Sequence, residues 1–186
     1  MKYFIPLLLL IFTNFSQAQD ESPNKQNNFS INIGYAFSQP YEGEEYNHGG
    51  NIQLEYKHIL NKFIDIRPYF SLMAIKSNSD DLIQDGPIET ATMTTLLIGG
   101  KTRIKAPLKW FAPYFEIGIG ASYGSFKTIS AKLSIKKTGL FYHIPASVGV
   151  ELGPKNNINL ALNYYYHPNV EQKTGIATIG FSLKLK

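Results

Sequence analysis

Apolar and polar residues alternate along most of the chain with a period of two, which is typical of β-strands whose two faces lie in different surroundings. Between residues 29 and 38, large apolar side chains occupy every second position, and small or polar side chains lie between them. The same alternation recurs along the rest of the chain and predicts eight strands. We place them at residues 29–38, 51–59, 63–73, 91–104, 110–124, 140–152, 158–167 and 174–185.

The connections between these strands alternate in length. Short connections occur at residues 60–62, 106–108 and 154–156, and longer ones at residues 39–49, 76–90, 126–138 and, more modestly, 168–173. Short turns at one end and long loops at the other are typical of a transmembrane barrel whose termini lie at the short-turn, periplasmic end. Strands of about 9 to 15 residues are long enough to cross a bilayer at a tilt. The pattern therefore predicts an all-β fold, an eight-stranded antiparallel up-and-down transmembrane β-barrel.

A soluble barrel with an apolar interior is the alternative, because alternation alone does not say which face is inside. The difference in loop length favours the membrane barrel, and so do the aromatic residues near the predicted strand ends, as an interfacial girdle requires.

Three prolines, Pro68, Pro113 and Pro145, fall inside predicted strands, where each removes a donor from the hydrogen-bonded ladder. Pro68 and Pro113 lie early in their strands, so a β-bulge near the periplasmic rim would accommodate both. The sequence offers no equally good account of Pro145.

The start of the chain has the features of an export signal. Lys2 is followed by a nearly unbroken apolar stretch and then by Ser16-Gln17-Ala18, so residues 1–18 are predicted to be a removable signal peptide. The apolar stretch is shorter than the roughly 20 residues that a membrane-spanning helix needs. Residues 19–28 are polar and are expected to form a flexible lead-in, and residues 29–186 the barrel.

The last strand resembles the signal by which outer-membrane barrels are recognised for insertion, in the pattern of Thr178, Gly180, Leu183 and Leu185. With its eight strands and export signal, the chain resembles the small outer-membrane barrels of the OmpA/OmpX type. The resemblance implies a monomer in the outer membrane of a Gram-negative-type envelope, in contact with membrane lipid and lipopolysaccharide and folded by the barrel-assembly machinery. It leaves the role open, because such barrels serve as anchors, adhesins, defence proteins and lipid-modifying enzymes.

An eight-stranded barrel is just wide enough for its own side chains to fill the interior, so inward-facing charges should form a plug rather than a pore. Centring the hairpin of the second and third strands on Asn61 places Glu55 opposite Arg67 and Lys57 opposite Asp65. We therefore predict a lumen charge network. Its remaining members are Lys101, Glu116 and Glu151.

Two histidines are the sharpest functional candidates. Centring the hairpin of the sixth and seventh strands on Lys155 places His143 opposite His167, facing inward near the outer mouth with Tyr165 close by. Such a pair could bind a transition metal or act as a general base. No third ligand is evident, and Glu171 in the adjoining loop is the nearest candidate. We favour the interpretation that both histidines only fill the lumen, and we expect no metal and no cofactor.

The segment Tyr166-His167-Pro168-Asn169 is similar to the His-x-Ser-Asn motif of outer-membrane lipid A deacylases, but the serine is missing and the spacing is one residue short. Without that hydroxyl the nucleophilic mechanism has no attacking group. The sequence therefore favours a non-enzymatic barrel with a structural or cell-surface interaction role through its loops. The alternative is a lipid A-modifying enzyme with a site near His143 and His167.

Composition narrows the function classes. The chain has no cysteine, which excludes disulfides, thiol catalysis and a lipid-anchored lipoprotein, and its net charge of +4 is too small to indicate nucleic acid. A basic loop could hold lipopolysaccharide phosphates and an acidic loop divalent cations, although ordinary solvated loops are the simpler interpretation. The first two loops are acidic (Glu42, Glu44, Glu45; Asp80, Asp81, Asp85, Glu89) and the third is basic (Lys127, Lys132, Lys136, Lys137).

Overall fold

A computed structural model describes residues 28–41, 46–76, 90–130 and 132–184. Each strand pairs antiparallel with the next, and the last pairs with the first, so that the sheet closes into the predicted eight-stranded up-and-down barrel. The strands are β1 (Asn28–Pro40), β2 (Asn47–Ile59), β3 (Ile64–Lys76), β4 (Thr90–Lys105), β5 (Trp110–Ser130), β6 (Leu133–Gly153), β7 (Ile158–His167) and β8 (Gln172–Lys184), with one 3-10 helix, Pro168–Val170, before β8. No helix within the described residues is long and apolar enough to span a membrane.

Large apolar side chains face outward, and polar and charged side chains face the lumen. Ile33, Leu72 and Ile117 are each more than half exposed on the outer wall, whereas Asp65 and Arg67 are almost completely buried inside. This distribution is the reverse of that in a water-soluble barrel and suits a wall surrounded by lipid. The predicted facing is thus confirmed, and the soluble-barrel alternative is wrong.

The β5–β6 hairpin is longer than predicted. Most of the expected loop at residues 126–138 continues the two strands, which end at Ser130 and resume at Leu133. Phe126 and Thr128 still face inward and are buried. The lysines of this segment suggested a loop because, beyond the membrane, the outward positions of a strand face water and lose their apolar character.

The predicted register of the β2–β3 hairpin is wrong by two residues. Glu55 lies opposite Tyr69, and neither Arg67 nor Asp65 faces its predicted partner. The turn is wider than expected because the Asn61 side-chain oxygen accepts hydrogen bonds from the N–H groups of Phe63 at 2.8 Å and Ile64 at 2.9 Å. This cap moves the centre of the hairpin from residue 61 to residue 62.

The strand prolines interrupt pairing without forming the expected bulge. The β2–β3 register is the same on both sides of Pro68, with only two pairs missing beside it. Pro113 remains opposite Val150, and Pro145 again leaves a gap of two pairs in an unshifted β5–β6 register. Because a bulge would shift the register by one residue, the bulge expectation was wrong for Pro68 and Pro113. The wall stays regular and the lumen residues keep their alternation.

Candidate functional site

Charged side chains fill the half of the lumen at the short-turn end. Arg67 occupies its centre, with Nη1 3.1 Å from Oε2 of Glu55 and Nη2 2.6 Å from Oε1 of Glu151. Its guanidinium also lies 3.4 Å from Asp65 and 3.7 Å from Glu116. One arginine of β3 therefore links carboxylates carried by β2, β3, β5 and β6.

Two lysines of the predicted network complete these contacts. Lys57 Nζ lies 3.2 Å from Glu151 and 3.6 Å from Asp65. Lys101 Nζ lies 2.6 Å from Glu55 and 2.9 Å from Glu116. The structure thus brings all seven predicted network residues together, although the register that motivated two of the pairs is wrong.

Two further cations belong to this cluster and were missed. Arg103 Nε lies 2.6 Å from Glu116, and its guanidinium stacks 3.4 Å from the centre of the Tyr114 ring. Lys105 Nζ lies 3.0 Å from Asp65. The fourth strand alternates least regularly in sequence, which hid its inward face. The signal was the period-two run Lys101, Arg103, Lys105.

The cluster is close to electrically balanced. Within the described chain it contains five cations (Lys57, Arg67, Lys101, Arg103, Lys105) and four carboxylates (Glu55, Asp65, Glu116, Glu151), which leaves a net charge of 5 − 4 = +1. Every carboxylate is within 4.0 Å of at least two cations. Buried charges that are paired in this way compensate one another and fill this half of the lumen.

The outer half of the lumen holds the predicted histidine pair. The β6–β7 register centred on Lys155 is confirmed, since Ile144 lies opposite Tyr166 and the next inward residues are His143 and His167. The two imidazole centres are 5.5 Å apart. Neither ring has solvent-exposed surface.

Tyr165 lies close to the pair as predicted, with its ring centre 5.6 Å from that of His143. The hydrogen-bond partners of the pair were not predicted. Ser122 Oγ lies 2.7 Å from Nδ1 of His143 and 3.2 Å from Nε2 of His167. The Tyr69 hydroxyl forms a hydrogen bond with Nε2 of His143. Alternation along β5 already marks Ser122 as inward-facing, but its position depends on the β5–β6 register, in which Gly120 lies opposite His143.

A serine hydroxyl hydrogen-bonded to a histidine can in principle act as a nucleophile with its base. Here the pair is enclosed, because the helix Pro168–Val170 turns inward and the Val170 carbonyl accepts a 2.9 Å hydrogen bond from the Thr128 hydroxyl of β5. Val170 and Ser122 are both fully buried. The arrangement therefore offers the right groups for acyl transfer, but Ser122, His143 and His167 have no solvent-exposed surface.

Glu171 does not join the histidines as a third ligand. It adopts a left-handed backbone conformation, and its N–H donates to the Pro168 carbonyl at 3.4 Å. No cluster of three or more metal-ligating His, Asp or Glu side chains occurs in the ranges that the structure describes.

The predicted insertion signal lies on β8. Thr178 and Gly180 face inward, and Leu183 is 59% exposed on the outer wall. Leu185 lies outside the described residues, and so do all seven acidic residues of the first two loops. The lysines of the predicted basic loop lie on the β5–β6 hairpin or in its turn. Recognition of β8 by an assembly machinery stays a prediction.

Several solved structures share this architecture. Neisserial surface protein A matches with a TM-score of 0.61 at 11% identity, over 86% of this chain and 97% of that one. The outer membrane enzyme PagL matches with a TM-score of 0.55 at 11% identity, over 83% and 98%. Ail, the attachment invasion locus protein of Yersinia pestis, matches with a TM-score of 0.50 at 16% identity, over 86% and 99%. Similarity at these identities shows the fold alone.

No curated protein matches the sequence of this chain significantly. A family model does match, over residues 5–185, and it describes the outer membrane protein beta-barrel domain. The match covers nearly the whole chain and agrees with the closed barrel, its apolar outer wall and the solved structures of the same shape. The chain therefore belongs to the family of outer-membrane β-barrel domain proteins, and it is located in the outer membrane.

Proposed function

We propose that the protein has a non-enzymatic role at the outer face of the outer membrane, either structural or as a surface for interaction, exercised through its outer connections. One observation carries the proposal, namely that paired side chains fill both halves of the lumen. Arg67 closes the periplasmic half and His143 with Ser122 the outer half, each almost completely buried. A barrel whose lumen is filled by its own side chains acts through the residues that it presents outside the lumen.

The outer end of the barrel supports this role. The β5–β6 hairpin extends eleven residues along β6 beyond the last β6–β7 pair, from Leu133 to His143. Its lysine side chains are exposed, including Lys132 in the turn and Lys136 on β6. An extended basic hairpin is a suitable surface for anionic partners.

A lipid A-modifying enzyme is the second candidate, favoured by a specific observation. The 2.7 Å contact between Ser122 Oγ and His143 Nδ1 supplies a hydroxyl that the sequence motif around His167 lacks. The rings and the hydroxyl are fully buried, so this candidate needs the outer mouth to open.

One experiment tests the proposed role in cells that lack the protein. We would compare rescue by the wild-type chain with rescue by a barrel in which residues 42–45 and 77–89 are replaced by short turns and residues 127–136 are cut to a tight hairpin. Bile-salt sensitivity reports the structural role, and adhesion of whole cells to immobilised polyanions reports the interactive role. We expect the shortened barrel to insert normally and to fail in rescue. Full rescue would contradict a role for the outer connections.

A second experiment tests whether the protein is a lipid A-modifying enzyme. Purified protein in micelles is incubated with lipid A, and released fatty acid is measured by mass spectrometry beside Ser122→Ala and His143→Ala variants. We expect no release above buffer from any of them. Release that depends on Ser122 and His143 would make the enzyme the better assignment.

A further inference from the structure

Two histidine nitrogens converge on one serine oxygen in the outer lumen. Ser122 of β5, His143 of β6 and His167 of β7 lie on three neighbouring strands. The serine oxygen is 2.7 Å from Nδ1 of His143 and 3.2 Å from Nε2 of His167. Three neutral donor atoms from separate strands therefore face one small volume.

Each imidazole has a neighbouring acceptor for a proton on its far nitrogen. Nε2 of His143 forms a hydrogen bond with the Tyr69 hydroxyl. Nδ1 of His167 and Oε1 of Gln172 are both buried and have no hydrogen-bond partner in the described part of the chain, and the two residues lie opposite each other in the β7–β8 ladder. A histidine that binds a metal usually donates its other N–H to such an acceptor. The surroundings of both rings thus suit metal ligands.

With the protons on the far nitrogens, both converging nitrogens carry lone pairs. The hydroxyl of Ser122 has one proton and can donate to only one of them. A metal ion between the rings would accept both lone pairs. A metal held at about 2.0 Å by one nitrogen of each ring places the ring centres roughly 5 to 6 Å apart. The measured separation of the two ring centres is 5.5 Å, so the spacing of the rings suits a shared ion.

The surroundings of the histidine pair favour an ion of low charge. Aromatic rings of Tyr165 and Phe126 pack against the two imidazoles. The Lys101 ammonium already lies 5.5 Å from the centre of the Tyr69 ring. Because a buried charge without a counter-charge is costly, these neutral donors suit a monovalent ion better than a divalent one. Zn²⁺ also normally takes four ligands, one more than the three donors that converge here.

The methionines indicate the same class of ion. Apart from Met1, the chain contains only Met73 and Met93. Both are buried in one hydrophobic cluster with Tyr165 and Phe126, the residues whose rings contact the histidines. Thioether sulfur is a soft ligand that favours Cu(I), and imidazole also suits copper. The outer lumen therefore combines the two neutral ligand types that soft monovalent metals prefer.

We propose that Nδ1 of His143 and Nε2 of His167 hold one soft monovalent metal ion, of the Cu(I) and Ag(I) class, with the Ser122 hydroxyl as a third contact. The sequence led to the opposite expectation because it does not reveal that Ser122 lies between the rings. The ion would join β5, β6 and β7 inside the outer mouth. The site goes beyond the proposed surface role and stands if that role fails.

The first test measures metal binding by the folded protein. Wild type in neutral detergent micelles is equilibrated with silver nitrate in chloride-free buffer, and the ion is added before folding in one sample and after it in another. The variant H143Q/H167Q is compared with H48Q/H58Q, a matched control that removes the two other histidines of the chain, both exposed on the outer wall. The chain has no cysteine, so thiols do not compete for the ion.

We expect one tightly bound Ag(I) per chain in the wild type and in H48Q/H58Q, measured by elemental analysis after gel filtration. Binding by H143Q/H167Q should be at least 100-fold weaker, since loss of a ligand's hydrogen-bond partner alone weakens metal binding by about 10- to 100-fold. Cu(I) kept reduced by ascorbate should bind at the same site, and an equal concentration of Zn²⁺ should not displace either ion. No binding by the wild type, equal binding by H143Q/H167Q or displacement by Zn²⁺ would overturn the proposal.

The second test needs no variant and therefore does not depend on the folding of H143Q/H167Q. Ag(I) is diamagnetic, so nitrogen NMR spectra of wild type with isotope-labelled histidine report on each ring nitrogen. We expect Ag(I) to shift the resonances of Nδ1 of His143 and Nε2 of His167 and to leave those of His48 and His58 unchanged. Bound silver without shifts at the two lumen histidines would overturn the ligand assignment.

The third test separates the hydrogen bond of the ligand from the packing around it. Tyr69→Phe removes the hydroxyl that is bonded to Nε2 of His143 and should weaken Ag(I) binding by about 10- to 100-fold. Tyr165→Phe is the matched control, because the Tyr165 ring packs against the same histidine but its hydroxyl donates to Gln53. It should bind Ag(I) as the wild type does. Equal weakening by the two variants would contradict metal binding through Nδ1 of His143.

Discussion

Arg67 and Glu55 form an ion pair of 3.1 Å although they do not face each other in the β2–β3 ladder. Glu55 lies opposite Tyr69, and the pair forms because two long side chains lean along the lumen towards each other. Both residues are at most 2% exposed. The lumen charges are thus held by the reach of side chains across the closed barrel as much as by strand register.

Replacing Arg67 with Ala should strongly destabilise the barrel, because it leaves Glu55 and Glu151 without their shared cation. Loss of one partner of a buried pair typically costs about 3 to 5 kcal/mol. Urea unfolding in lipid vesicles, followed by tryptophan fluorescence, measures the change in the free energy of unfolding. Lys105→Ala is the control, since within the described chain the Lys105 ammonium forms an ion pair with Asp65 alone. It should cost clearly less than Arg67→Ala, because Asp65 keeps Lys57 and Arg67 within 4.0 Å.

A double-mutant cycle isolates the coupling energy between Arg67 and Glu55. Combining Arg67→Ala with Glu55→Gln removes both charges, so the double variant should be more stable than the sum of the single losses predicts, by about 0.5 to 3 kcal/mol. Strictly additive losses would mean that this contact carries no coupling energy.

Gly120 should not tolerate a side chain. A Cβ at this position would lie 2.5 Å from His143 Nε2 and 2.6 Å from the Tyr69 hydroxyl oxygen, so Gly120→Ala must push apart a packed hydrogen-bonded pair. Overpacking of this kind costs about 1 to 3 kcal/mol. Gly100→Ala is the matched control, because a Cβ there meets nothing within 4 Å. Equal unfolding free energies for the two variants would show that the outer lumen is looser than this packing implies.

The fold could be predicted from the sequence because the membrane and the lumen impose opposite polarity on alternate residues. The registers of the hairpins were harder to predict. The turn between Gly153 and Asn156 is tight, with the Asn156 N–H donating to the Gly153 carbonyl at 3.0 Å, and the prediction centred on Lys155 was correct. At Asn61 a side-chain cap widens the turn, and no count of residues reveals such a hydrogen bond.

The candidate site could be predicted only in part, because its contacts cross the barrel. Alternation marks Glu151 and Arg67 as inward-facing, but their 2.6 Å contact joins β6 to β3 and depends on the tilt of all the strands between them. The contact of Ser122 with both histidines has the same origin. The inward or outward orientation of a side chain can be predicted from the local sequence. Which side chains meet inside the lumen depends on how the whole sheet closes.

The barrel should not conduct ions. The guanidinium groups of Arg67 and Arg103 lie in the lumen, with four carboxylates within 4.0 Å of the first and two within 2.7 Å of the second, and both are nearly inaccessible to solvent. Planar-bilayer recordings should therefore show no stable currents, for the wild type or for Lys105→Ala, which leaves both guanidiniums in place. Reproducible nanosiemens openings from the wild type would contradict a filled lumen.

Deleting residues 181–186 should prevent closure of the barrel. Phe181 lies opposite Ile31 on one side and Ile158 on the other, and Leu183 lies opposite Phe29, so the deletion removes the periplasmic end of β8 and exposes the edges of β1 and β7. Unpaired backbone at this depth cannot be satisfied by lipid. We expect export with removal of residues 1–18, followed by accumulation of unfolded, protease-sensitive protein in the periplasm. Heat-modifiable migration in gels and membrane fractionation measure the outcome.

Deletion of residues 20–25 is the control of equal length, and it should insert normally because those residues precede β1. Normal insertion of the chain without residues 181–186 would show that closure does not depend on the end of β8.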